Sequence, residues 1–217
     1  MPEILNFSRR GLLRSAGGLV AAAGGMAALG GIFAAPGLAQ AVDPMKVADS
    51  DHVLGDPNAK VTIIEYASMT CPHCAGFHTT VLPELKKLYI DTGKAKLVFR
   101  DFPLDKVAAQ ASLLAECVPP GQYFAMIDML FQTQRQWATA KDPLDALSKA
   151  GRLLGIDDVK FRACQDDKAA FAAIIAERQA GESIGVESTP TIFIDGKPYP
   201  GVRPIPDYQA IIDPLLK

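Results

Sequence analysis

Residues 61–74 read Val61-Thr62-Ile63-Ile64-Glu65-Tyr66-Ala67-Ser68-Met69-Thr70-Cys71-Pro72-His73-Cys74. The run from Val61 to Tyr66 is β-branched, aliphatic or aromatic except for Glu65, the composition of a buried strand. A small loop follows, and Cys71 opens a stretch in which Phe77, Val81, Leu85 and Leu88 recur at helical spacing. Cys71 falls at the N-cap of that helix and Pro72 at its first position, where a missing N–H costs nothing. Pro83 lies inside the stretch and predicts a kink or a restart. A sulfur at the N-cap sits over unpaired backbone N–H groups and the positive end of the helix dipole, which favour thiolate over thiol. Cys74, one turn inward, faces it. In this strand–loop–helix context C-x-x-C reads as a redox pair, because the thiolate is both the attacking species and a good leaving group. His73, when protonated, adds a positive charge beside Cys71 and makes the disulfide a stronger oxidant. Two other readings stay open: a structural disulfide, and a zinc site with Cys71, Cys74 and His78 as three of its ligands.

Outward from this stretch, residues 42–60 are loop-like, with an edge strand at Val53-Leu54 and a turn at Gly55-Asp56-Pro57-Asn58. Residues 96–102 form the next strand. Helical segments then recur at about 105–117, 121–134, 143–154, 157–163 and 167–183, separated by Pro- and Gly-containing breaks. Residues 191–195 are strand-like, Gly196-Lys197 marks a hairpin turn, Tyr199 lies on a short partner strand, and a helix closes the chain at about 205–216. This order predicts an α/β fold: a central mixed sheet flanked by helices, with an all-helical insertion.

The N-terminus stands apart. Ser8-Arg9-Arg10-Gly11-Leu12-Leu13-Arg14 is basic, an uncharged Gly/Ala-rich run follows, and Ala39-Gln40-Ala41 closes the segment. That is the three-part pattern of a cleaved export signal, here of twin-arginine type, over residues 1–41. An uncleaved anchor is the alternative, although Gly and Ala supply little apolar area to hold one. Of the 22 basic and 24 acidic side chains, the segment holds Arg9, Arg10, Arg14 and Glu3, leaving 19 and 23, a net charge of −4. No basic run remains, so neither nucleic acid nor an anionic membrane surface is an expected partner. All four cysteines lie beyond residue 41, in what would be an oxidising compartment. Of three possible pairings, spacing favours Cys71 with Cys74 and Cys117 with Cys164.

With Ser188-Thr189-Pro190-Thr191 near its end, the chain resembles the DsbA-like branch of the thioredoxin superfamily over residues 50–217. The resemblance implies a thioredoxin fold with its first part at 42–105, a helical insertion at 106–184 and its second part at 185–217. It implies a periplasmic thiol:disulfide oxidoreductase of the Gram-negative bacterial type, which introduces disulfides into unfolded or reduced exported proteins. A quinone-linked membrane oxidase of the DsbB type would re-oxidise it. No cofactor and no metal are expected. Dimeric isomerases of the superfamily carry a sizeable N-terminal dimerisation domain, and only about 20 residues separate Ala41 from the first core strand. A monomer is therefore expected. The alternatives are an isomerase or reductase of the same fold, or a metal-binding or chaperone-like module without redox turnover.

The resemblance also assigns supporting residues. Thr189-Pro190 would be a cis peptide placed against the cysteine pair, leaving the Thr189 backbone to pair with an incoming extended peptide; an ordinary trans proline is the alternative. Glu65 would accept the proton of Cys74 through water, or else would pair with a lysine or arginine. A Cys117–Cys164 bridge would depart from the simplest DsbA-like proteins, which need only the active pair; it would close a loop of about 48 residues, worth roughly 4 kcal/mol in the chain-entropy model, with two free buried thiols as the alternative. It would serve structure or tune the active pair. His52 is expected in a loop and His78 on the helix surface, both without an obvious partner. Trp137, Met126, Met129 and Leu130 are expected in the core of the insertion or along a substrate groove.

Overall fold

The computed structural model describes residues 45–119 and 121–217; the export signal expected over 1–41 lies outside the described residues. Five strands form one sheet in the order β1-β3-β2-β4-β5: β1 (His52–Leu54), β2 (Val61–Ala67), β3 (Ala95–Asp101), β4 (Thr191–Ile194) and β5 (Lys197–Pro200). Only the β2–β3 pair is parallel. A helix connects those two strands, as a parallel pair requires.

Strand β2 is buried along nearly its whole length because helices cover both faces of the sheet. Val61 and Ile63 pack with Leu97, Ile192 and Ile194 against Phe77, Leu85, Tyr208 and Ile212. The alternate residues Ile64 and Tyr66 pack on the other face with Val98, Phe102 and Phe193. There α8 (Lys168–Ser183) crosses the sheet through Gly181. A Cβ at Gly181 would stand 2.8 Å from Cε1 of Tyr66. The close crossing needs glycine. By the pleat, Glu65 points to the same side as Val61 and Ile63, into the layer under the helix that follows the cysteines.

That helix is continuous over residues 72–90. It begins as α1 (Pro72–Gly76), widens to a π turn over Phe77–Val81, returns as α2 (Leu82–Leu85) and widens again over Lys86–Ile90. The kink or restart expected at Pro83 is replaced by the π turn just before it. Leu82 N–H reaches back to Phe77 O, and the Thr79 and Thr80 hydroxyls donate to Ala75 O and Gly76 O. The ring is thus accommodated without a break.

The insertion contains α3 (Lys106–Glu116), α4 (Tyr123–Gln132), α5 (Gln134–Ala138), α6 (Pro143–Arg152) and α7 (Asp158–Gln165), followed by α8. Asp105, Asp142, Asp157 and Asp167 cap α3, α6, α7 and α8 through their carboxylates. Its core is continuous with the sheet: Met126, Leu130 and Trp137 are buried in one cluster with Ala67, Cys74 and Phe99. Met129 packs at its edge. The chain closes with α9 (Ile205–Leu215). The β4–β5 turn falls one residue earlier than the sequence suggests. Ile194 pairs with Lys197, so the turn residues are Asp195 and Gly196, both at positive φ (43° and 82°). Asp195 tolerates this conformation and also accepts a hydrogen bond from Thr62 N–H at 2.9 Å.

Candidate active site

Cys71 occupies the N-cap of α1 in an extended conformation, with Pro72 following. Its residue surface is only 7% exposed, whereas Pro72 and His73 are exposed and Cys74 is fully buried. Both sulfurs are thiols in this structure. The Cys71 thiol is pulled down to about 5, first by the hydrogen bond from the Cys74 thiol and then by the backbone N–H groups of Cys74 and His73, against the opposing effect of burial. Burial drives the Cys74 thiol far above the usual range, reinforced by the hydrogen bond it gives to Cys71 and by the charge of Glu65. The same short helix start thus makes one sulfur acidic and the other basic. His73 acts on Cys71 here through its backbone N–H.

Thr189-Pro190 is a cis peptide. Thr189 O lies 3.3 Å from Cys71 Sγ, within hydrogen-bonding distance of the thiol. Pro190 is buried, and the Thr189 hydroxyl is buried without a hydrogen-bond partner. The loop that delivers Cys71 is held from three sides. Cys71 N–H donates to Ser68 O, the Thr70 hydroxyl donates to Asp105 at 2.6 Å, and Leu104 N–H donates to the Ser68 hydroxyl. From the insertion, the buried Gln134 amide donates to Met69 O at 2.8 Å and to Cys71 O at 2.9 Å. Leu104, beside this loop, is 51% exposed.

Glu65 is fully buried, and its partner is neither lysine nor arginine. His78 Nε2 donates to Glu65 Oε2 at 2.9 Å, and His78 Nδ1 lies 3.4 Å from Asp128 Oδ1. The expectation of a surface His78 without partners is therefore corrected. The π turn rotates the residue after Phe77 inward, and the buried carboxylate supplies the reason to keep it there. With both ring nitrogens engaged, His78 is withdrawn from the zinc set considered with Cys71 and Cys74. Its imidazole is raised to about 9; burial opposes the charged form but Glu65 and Asp128 outweigh it. His52 is likewise partnered: it stands on β1, stacks on Tyr123 at 3.5 Å and bonds Glu116 at 3.1 Å. Cys117 and Cys164 are joined in a disulfide with Cα atoms 5.9 Å apart, tying α3 to α7.

Gln134 and Asp128 carry no signal in the sequence, and His78, considered there only as a zinc ligand or a surface residue, gives no sign of its pairing with Glu65. The one signal was Glu65 itself, a lone acid in an apolar strand that required a partner. Among the described residues, no group of His, Cys, Asp and Glu is arranged to hold a metal ion, and no helix is long and apolar enough to cross a membrane.

A mixed sheet with helices on both faces, a C-x-x-C at a helix start and a cis-proline facing it define a thioredoxin-fold protein. The family profile described as Thioredoxin matches residues 47–214, and the chain belongs to that family. It is similar to alpha-DsbA1 of Wolbachia pipientis, at 31% identity and a TM-score of 0.73, over 78% of this chain and 92% of that one. A protein-disulfide isomerase from Novosphingobium aromaticivorans matches at 26% identity and a TM-score of 0.67, over 79% and 100% of the two chains. A Rickettsia bellii protein provisionally named a protein-disulfide oxidoreductase is 35% identical over 156 residues, 70% of this chain and 59% of its own length. The chain thus spans less than two thirds of that relative.

Proposed function

We propose that this chain is a thiol:disulfide oxidoreductase that introduces disulfides into exported proteins through Cys71 and Cys74. The observation that carries the reading is the placement of the two sulfurs, Cys71 at the helix start beside the cis Thr189-Pro190 peptide and Cys74 fully buried one turn deeper. A client thiolate attacks Cys71 of the enzyme disulfide, the Cys71–Cys74 bond breaks, and Cys74 leaves and takes up a proton. A second client thiolate attacks the client sulfur of the mixed disulfide and expels Cys71 as a thiolate. The client is oxidised by two electrons and the enzyme is reduced to the dithiol. The depressed Cys71 thiol favours that expulsion and stabilises the reduced enzyme, which makes the disulfide oxidising.

The same reading places the chain in the periplasm after removal of residues 1–41, as a monomer. Unfolded or reduced exported proteins are its clients, and a quinone-linked membrane protein of the DsbB type returns it to the disulfide. Support comes from the signal pattern of the sequence and from the similarity to alpha-DsbA1. The Thr189 backbone, held beside Cys71 by the cis peptide to Pro190, is where an extended client would pair. The Cys117–Cys164 bridge is assigned to structure.

The reduction potential of Cys71–Cys74, measured against a glutathione series, tests the assignment. A value well above the glutathione couple is expected. A value near that of thioredoxin, about −270 mV, would make the protein a reductant of its clients and overturn the oxidase reading.

A further inference from the structure

The backbone at Cys71 is held only in part by its own helix. Pro72 brings no N–H, so the peptide between Cys71 and Pro72 offers a single polar group, the carbonyl of Cys71. That oxygen accepts the first helical bond from Ala75 N–H at 3.2 Å and a second bond, at 2.9 Å, from the side-chain amide of Gln134. The same amide nitrogen also donates to Met69 O at 2.8 Å. A side-chain amide has two N–H donors, and here both are spent on carbonyls two residues apart. Gln134 is 6% exposed and Met69 is fully buried, so water does not compete for these bonds.

Gln134 is itself firmly placed. It opens α5 at the corner with α4, where the Thr133 hydroxyl donates to Met129 O at 2.8 Å. The buried Trp137 indole N–H donates to Leu130 O, also at 2.8 Å. Trp137 and Leu130 lie in the core cluster that contains Cys74. A donor fixed by the core of the insertion thus reaches the mouth of the helix that carries the cysteines.

We propose that Gln134 is a positioning residue that holds the Cys71 sulfur over the helix start and so sets how strongly the pair oxidises. The proposal rests on the reading of Cys71–Cys74 as an exchanging pair and deepens it. Peptide groups are planar, so two held planes fix the Cα between them and the direction of its Cβ. At Cys71 the plane before the residue is held by its N–H, which donates to Ser68 O at 3.0 Å. The plane after it is held by its carbonyl, through Ala75 and Gln134. The sulfur gains its acidity from short contacts, the bond from the Cys74 thiol and the N–H groups of Cys74 and His73. Hydrogen bonds of this kind weaken steeply with distance and angle. Without Gln134, Cys71 O keeps its bond from Ala75, but Met69 O loses the amide inside the core, which costs more than an exposed bond would. The loop then relaxes and each contact to the sulfur is partly lost. Gln134 carries no charge and acts through the backbone of Cys71.

The test uses Gln134→Met in the full chain, which keeps the length of the side chain and removes both donors. In the dithiol protein, thiolate absorbance against pH should place the Cys71 midpoint about one unit higher than native. The reduced form is then less stabilised, so the equilibrium constant for oxidising glutathione at neutral pH should fall roughly tenfold, a potential lower by about 30 mV. Gln134→Asn, one methylene shorter, cannot span both carbonyls and should move the midpoint in the same direction by less. Lost stability alone gives a different result. Gly181→Ala, which crowds Tyr66 on the other face of the sheet, should keep the native midpoint and equilibrium constant. A native midpoint in folded Gln134→Met, or an equal rise in Gly181→Ala, would overturn the proposal. If Gln134→Met fails to fold, an unmoved midpoint in Gln134→Asn overturns it instead. The midpoint needs no exchange partner. Native protein that never exchanges with glutathione would therefore defeat the exchange reading, while the midpoints still judge Gln134.

Discussion

The acidity of Cys71 has a largest contributor, and that contributor can be removed. Its thiol is lowered from 9.0 to about 5, and the hydrogen bond from the Cys74 thiol leads the causes, ahead of the helix N–H groups. Cys74→Ala deletes that donor while leaving the helix start in place. Cys74→Ser supplies a hydroxyl donor in the same position. A hydrogen bond to a charged acceptor contributes about 1.5–3 kcal/mol, and one pKa unit corresponds to about 1.4 kcal/mol. The Cys71 midpoint should therefore climb by about one to two units in Cys74→Ala, to about 6–7, and stay close to the native value in Cys74→Ser. Ultraviolet absorbance of the thiolate, followed against pH, reads the midpoint directly in both single-cysteine variants. The rate of alkylation at Cys71 gives a second reading. Equal midpoints in the alanine and serine variants would refute the reasoning. They would assign the acidity to the helix N-terminus alone.

Two further outcomes follow from packing and linkage. Gly181→Ala drives a Cβ to 2.8 and 2.9 Å from the Tyr66 ring, which is pinned by Arg100 Nη1 at 3.0 Å and by Phe102 and Phe193. A loss of about 1–2 kcal/mol in urea unfolding is expected, overpacking outweighing the helix-propensity gain. Gly76→Ala, with nothing within 4 Å of its Cβ, should gain roughly 0.5–1 kcal/mol. Asp101 is buried and Glu177 half-buried, and burial holds both carboxyls above their usual range, with the charge of Glu116 adding at Asp101 and that of Asp101 at Glu177. The folded state therefore binds their protons more tightly than the unfolded chain. With the active pair oxidised, stability should fall as pH rises from the ordinary carboxylate range toward neutrality. His78 adds a second fall as pH rises from 6.5 through about 9. Asp101→Asn should flatten the first fall and leave the second, as chemical denaturation across pH would show.

The sheet and the motif were legible because their signals are local. A β-branched run, a C-x-x-C and a Thr-Pro each lie within a few residues, and the physics of strand burial and helix starts acts on that scale. What was illegible depends on contacts between distant segments. His78 follows Phe77, a residue of the apolar stripe, and helical spacing alone puts it on the surface. Its partners lie 13 residues back and 50 residues on. Gln134 reaches the loop before Cys71 across 63 residues of sequence. The π turn at Phe77–Val81 carries no sequence signature beyond Pro83, and it alters which residues face inward. The hairpin was displaced by one residue because Asp195, not only Gly196, takes the left-handed conformation.

The two cysteines are chemically alike, and three residues of helix separate their behaviour. Cys71 stands at the last point where the chain can still meet both free N–H groups and an incoming peptide. Cys74 stands one turn deeper, in the core cluster shared with Phe99, Leu130 and Trp137. Pushing two like groups apart in proton affinity assigns one as leaving group and the other as the sulfur that keeps its proton. The insertion takes part in both assignments. Gln134 fixes the backbone of Cys71, and α4 brings Asp128 to His78, the partner of Glu65. A bare sheet-and-helix core without the insertion would keep the thiolate-stabilising helix start. It would lose the clamp on the loop and the Asp128 contact of His78. The helical block thus belongs to the chemistry of the pair as well as to the surface beside it.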